Sequence, residues 1–101
     1  MHIECPDLSE NRRVAFSTTI AGNVFNFLFS WNDFCDCCFL DIFDSSGSRL
    51  YCGNALALNS KIFTKKKELP TLTFIHKDLK PYEPTPETMK DYVIYYEDTA
   101  E

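Results

Sequence analysis

Glycine is scarce in this chain. Only Gly22, Gly47 and Gly53 occur in 101 residues, and none lies in the glycine-rich run that cradles a phosphate group. Histidine is scarcer still: His2 and His76 sit in no recognisable motif with a nucleophile or an orienting carboxylate, so no catalytic residue is expected. Positive charge is in deficit, with ten Lys and Arg against fifteen Asp and Glu, a net charge of −5 and a sequence pI of about 4.9. A field of that sign repels a phosphate backbone, which argues against direct nucleic-acid binding. The basic run Lys65-Lys66-Lys67, next to Glu68, reads as a solvated loop or a charged strand edge. No apolar stretch approaches the ~20 residues that span a bilayer. The opening Met1-His2-Ile3-Glu4-Cys5-Pro6-Asp7 lacks the basic and apolar regions of a signal peptide, so synthesis in the cytosol and no membrane contact are expected.

What the chain has is apolar and aromatic content, 45% and 15%. That is enough for one core in one domain without a staple. Residues 1–12 are polar, carry Pro6 and show no period, and read as an extended N-terminal arm that adds little to the core. Residues 13–101 read as a single β domain. Val14, Phe16, Thr18 and Ile20 alternate along a first strand, Ala21-Gly22-Asn23 makes a hairpin turn, and Phe25, Phe27, Phe29 and Trp31 then line one face of the next strand. Such an aromatic stripe is expected to be core, because aromatics dominate burial energy in small β domains. Residues 34–44 and 49–53 flank a Ser45-Ser46-Gly47-Ser48 loop as a second hairpin. Residues 54–63 are ambiguous between strand and helical turn and lean towards strand. Residues 71–76 and 92–97 alternate as later strands, separated by a loop holding Pro81, Pro84 and Pro86, with 86–90 as a candidate helical turn. Strands throughout, six or seven at this spacing, predict a small all-β antiparallel barrel or sandwich.

Five cysteines (Cys5, Cys35, Cys37, Cys38 and Cys52) invite a metal or redox reading. Their spacing argues otherwise. In a strand Cys35 and Cys37 share a face and Cys38 opposes them, whereas structural zinc sites draw ligands from turns two to four residues apart. The odd count and a reducing compartment predict small buried hydrophobes with no disulfide framework, no bound metal and no cofactor. Asp41 and Asp44 could pair as acid and base in a glycosidase, but a domain this small hardly offers the substrate cleft, and turn-forming or solvated aspartates are expected.

The order of elements resembles a known family. Phe16 to Ile20, the Gly22 turn, a strand ending in Trp31-Asn32, then Phe39-Leu40-Asp41-Ile42 with Asp44, Gly47, Leu50 and Gly53 follow the pattern of the baseplate plug proteins of contractile-tailed bacteriophages, of the cyanophage type. Leu69-Pro70 before a strand, a proline-bearing loop and a closing strand, Val93-Ile94-Tyr95-Tyr96-Glu97, continue it over roughly residues 14 to 97. The sequence departs from the pattern at Phe34 to Cys38, where the family more often has a polar or Gly-containing loop leading to a Trp. The resemblance implies a structural, non-enzymatic virion protein at the tail baseplate hub, plugging the central channel near the start of the tail tube. Its implied partners are other baseplate proteins (hub, spike and tube initiator) and copies of itself.

Two other classes compete. A small acidic interaction or inhibitor domain could occupy a basic active site. An enzyme or metal-binding module would have to rest on the cysteines, against their spacing.

Overall fold

The computed structural model describes residues 2–20, 22–59, 61–62 and 71–96, apart from the side chains of 52–54. The Lys65-Lys66-Lys67 run, Leu69-Pro70, the tail 98–101 and the Cys52 side chain lie outside the described residues.

The chain is all-β: β1 (His2–Glu4), β2 (Arg13–Ile20), β3 (Asn23–Asn32), β4 (Cys37–Asp44), β5 (Arg49–Ala55), β6 (Lys61–Ile62), β7 (Leu72–His76) and β8 (Tyr92–Tyr96), with one 3-10 turn at Met89–Asp91. They form two four-stranded antiparallel sheets, ordered β1-β8-β7-β6 and β2-β3-β4-β5, and neither closes into a barrel. Among the described residues the expected six or seven strands become eight, because β1 and the two-residue β6 are too short to show a period.

Alternation sets the register. Gly22, at φ +83, turns β2 into β3 so that Ile20 faces Asn23 and Phe16 faces Phe27. β3 in turn faces β4 through Phe27–Ile42, Phe29–Leu40 and Trp31–Cys38. The Phe25, Phe27, Phe29 and Trp31 stripe is buried, as its period predicts, together with Cys38, Leu40 and Ile42 of β4. Leu72 and Phe74 of β7, and Tyr92, Ile94 and Tyr96 of β8, complete one cluster shared by both sheets. Among the described residues no polar or charged side chain is buried.

The first twelve residues depart most from expectation. Ile3, Cys5 and Leu8 are all buried in that cluster, so the segment is not a polar appendage to the core. Ile3 faces Ile94 in the β1–β8 ladder, the Cys5 N–H donates to the Tyr92 carbonyl at 3.1 Å, and the Leu8 N–H donates to the Pro86 carbonyl at 3.1 Å. Only one residue in two or three is apolar here, and the strand that receives them comes at the far end of the chain, so no local pattern reveals them.

Two further readings change. The described part of 54–63 is not one strand: β5 ends at Ala55, residues 56–59 leave it with a turn at 58–59 and Asn59 at φ +64, and the Asn59 N–H donates to the Phe74 carbonyl at 2.7 Å before β6. Residues 33–36 are a turn before β4 rather than its beginning, and Cys35 of that turn forms a disulfide with Cys37, the first residue of β4. This corrects the expectation of thiols throughout. Asp36 at φ +52 bends the backbone between the two cysteines, and their Cα atoms lie 5.3 Å apart. Cys5 and Cys38 are free and buried, as expected of small hydrophobes.

Candidate functional site

The segment from Cys5 to Arg12 crosses from the end of β1 to the start of β2 and is bonded to two neighbouring segments. Leu8 is bonded to Pro86 in the proline loop. The Arg12 carbonyl accepts from the Trp31 N–H at 2.7 Å, just before the β3–β4 turn. Arg12 also folds back, its Nη1 donating to the Leu8 carbonyl at 2.8 Å. The proline loop and the β3–β4 turn therefore both border the crossover.

These two loops present large apolar side chains to solvent. Phe34, at the tip of the β3–β4 turn, is fully exposed; Leu79 and Tyr82 in the proline loop are 75% and 64% exposed. Scattered exposed hydrophobics are ordinary, but three from loops that border one crossover are candidate contact residues. Each sits on a backbone fixed from beneath. The Phe34 N–H donates to Asn32 Oδ1 at 2.8 Å, and Tyr92 donates its buried hydroxyl to the Tyr82 carbonyl. The His76 ring stands edge-on to Tyr82 and Tyr92, its Nδ1 accepting from the Asp78 N–H at 3.0 Å. Burial raises the Tyr92 hydroxyl pKa above its ordinary value, which keeps it a donor. Leu79 holds φ +59, a left-handed conformation disfavoured for a bulky side chain, closed by its N–H donating to the His76 carbonyl at 3.0 Å. Strained residues cluster at functional sites, which makes this exposed leucine a candidate contact residue.

The residues weighed for chemistry take structural positions. His76 is held between two tyrosine rings. Asp44 Oδ1 accepts from the Ser46 and Ser48 N–H groups at 3.0 and 2.9 Å and from Ser46 Oγ at 2.7 Å, ordering the β4–β5 turn. Asp41 lies in β4 opposite Leu28 of β3. Burial pushes the Cys38 thiol up to about 12 and raises Cys5 as well, so both stay protonated and weakly nucleophilic at neutral pH. Among the described residues no three His, Cys, Asp or Glu side chains gather around a common point that could hold a metal ion.

Phe34, Leu79 and Tyr82 are the residues that sequence reasoning passed over. Each falls in a strand or loop pattern, and none stands out by period. The proline loop itself was legible from its three prolines.

No curated protein and no solved structure matches this sequence. A family does, across residues 3–100, from the first strand to the tail. The span includes the Trp31-Asn32 strand end, the Phe39-Leu40-Asp41-Ile42 strand, the proline loop and the tyrosine-rich β8, and on it the chain belongs to the phage baseplate plug family described as cyanophage baseplate Pam3 plug gp18.

Proposed function

We propose that this protein is a non-catalytic structural component of a contractile-tailed phage virion. It occupies the central channel at the baseplate hub, near the start of the tail tube, until contraction. The observation that carries this reading is the family match over residues 3–100. The fold supports it: two sheets facing one another across a shared apolar core make a compact sandwich, and filling a tube takes a rigid body with contacts at its rim rather than a cleft with reacting groups. Phe34, Leu79 and Tyr82 are the rim anchors in this reading, held on loops by backbone hydrogen bonds, and they dock against hub, spike or tube-initiator proteins. A few apolar anchors among charged surroundings give moderate affinity, and a plug must also leave. The net charge of −5 keeps its surface from trapping DNA passing through the opened channel.

The test is made on virions. Particles assembled without the chain should lack only this component at the hub and should release DNA or contract prematurely. The chain should be recovered with hub proteins from purified baseplates after synthesis in the host cytoplasm. Absence of the chain from purified virions would overturn the reading.

A further inference from the structure

Three of the four sheet edges are short or irregular. β1 has three residues, β6 has two, and β5 pairs with β4 through two register shifts around Ile42. The fourth is different. β2 is an edge strand of eight residues, regular from Arg13 to Ile20, with no proline, no bulge and a single charge, Arg13, at one end. Proteins usually blunt long edges with lysines, prolines, bulges or shortness, and β2 carries none of these.

The backbone direction along β2 follows from one bond. The Arg12 carbonyl accepts from Trp31 of β3, so by the period of two Val14, Phe16, Thr18 and Ile20 turn their N–H and C=O groups towards β3. Arg13, Ala15, Ser17 and Thr19 turn theirs to the open edge. The Arg13 N–H is taken by Asn11 Oδ1 at 3.1 Å, and no described strand lies beyond the others. The side chains divide the same way. Ala15, Ser17 and Thr19 are exposed, while Val14, Phe16 and Thr18 are half-buried at the margin of the core. Phe16 stacks on Phe27 and Phe29 at 6.1 and 5.8 Å yet stays incompletely covered.

We propose that in the free protein this edge pairs with the β2 edge of a second copy, antiparallel about a two-fold axis at Phe16. The strand is self-complementary in that register. Ala15 faces Ser17 of the partner copy and Arg13 faces Thr19, forming about six interchain N–H···O=C bonds. Phe16 meets its own symmetry mate in a non-hydrogen-bonded pair, where side chains approach closest, and Val14 meets Thr18. No like charges oppose one another, because the one charged residue falls across from a threonine. The half-covered Phe16 rings complete their burial on each other, and the two β2–β5 sheets become one eight-stranded sheet. A strand of another protein could use the same backbone groups, but self-pairing matches the outward groups from Arg13 to Thr19 in one register and covers Phe16 with Phe16.

The test uses the full purified chain, without other phage proteins. Sedimentation over a concentration series should show a species of twice the 11.7 kDa chain mass. Amide exchange of Ala15, Ser17 and Thr19 should slow by about tenfold or more from dilute to concentrated protein, while Val14, Phe16 and Thr18 amides, bonded to β3, stay unchanged. Ala15→Pro removes an outward N–H without touching the β3 ladder and should give a folded monomer. Ser17→Lys, which leaves the backbone intact, should do the same with an unchanged far-UV spectrum. A chain monomeric at every concentration with fast exchange at 15, 17 and 19 overturns the proposal. So does a dimer that survives both substitutions, or protection of these amides that appears only when another protein is added.

Discussion

Leu8 carries more of this fold than its surroundings suggest. It lies in the crossover from β1 to β2, fully buried and bonded to the proline loop, and truncating a buried leucine removes its transfer energy and leaves a cavity. Leu8→Ala should therefore cost about 2–5 kcal/mol, in the same range as the ~3–5 kcal/mol expected for Phe27→Ala in the centre of the aromatic stripe. Urea unfolding of the two variants checks this. A Leu8→Ala midpoint equal to that of the parent would return residues 1–12 to the role of an appendage. The thiols separate by the same logic of burial. With their pKa values raised by desolvation, Cys5 and Cys38 should resist iodoacetamide at about pH 8 in the native protein and react fully in denaturant, as read by peptide mass mapping. Rapid native labelling of either would show that its site opens.

At the scale of elements, β1 is held to the sheet by a short ladder and by the ion pair between Lys77 Nζ and Glu4 Oε1 at 2.8 Å. Glu4, Val93 and Ile75 form one row across β1, β8 and β7, and Lys77 lies two residues beyond Ile75 on the same side, so the pair runs beside the buried Val93. The lysine holds the Glu4 carboxyl below its ordinary 4.5, first through the hydrogen bond and then through charge, and Lys77 is raised in return. A carboxylate whose folded pKa is depressed contributes stability above its unfolded value, and that contribution fades as pH falls through the folded one. Thermal melts of the parent and Glu4→Gln should differ slightly at about pH 6 and converge by about pH 3, and a gap constant with pH would show that charge plays no part. The β2–β3 and β4–β5 hairpins, the Gly22 turn and β8 were legible in the sequence, because each is made of neighbours in the chain whose period or turn chemistry is local. β1 and β6 were not. Their partners β8 and β7 lie far along the chain or beyond a loop, and two or three residues cannot display alternation. The Cys35–Cys37 disulfide is hidden for a related reason: the cysteine-rich pattern is that of a strand, while a left-handed Asp36 turns the chain between the two residues.

For the whole molecule, stability and attachment reside in different residues, and that separation lets the proposed role be tested without unfolding the protein. Deleting residues 1–10 cannot serve, since it would remove Ile3, Cys5 and Leu8 from the core along with any contact they make. Phe34, Leu79 and Tyr82 can, because their side chains project from backbone fixed by other groups. Phe34→Ser should change stability by no more than about 0.5 kcal/mol, as exposed substitutions usually do. Leu79→Gly should be neutral within about 1 kcal/mol, since relief of the left-handed strain at φ +59 offsets the greater freedom of glycine in the unfolded chain. Combined, the two should keep the parent's melting curve while weakening association with baseplates that lack the protein by about tenfold or more, the loss expected when central apolar anchors are truncated. Incorporation of the folded double variant at parental levels would move the contact surface away from these two loops.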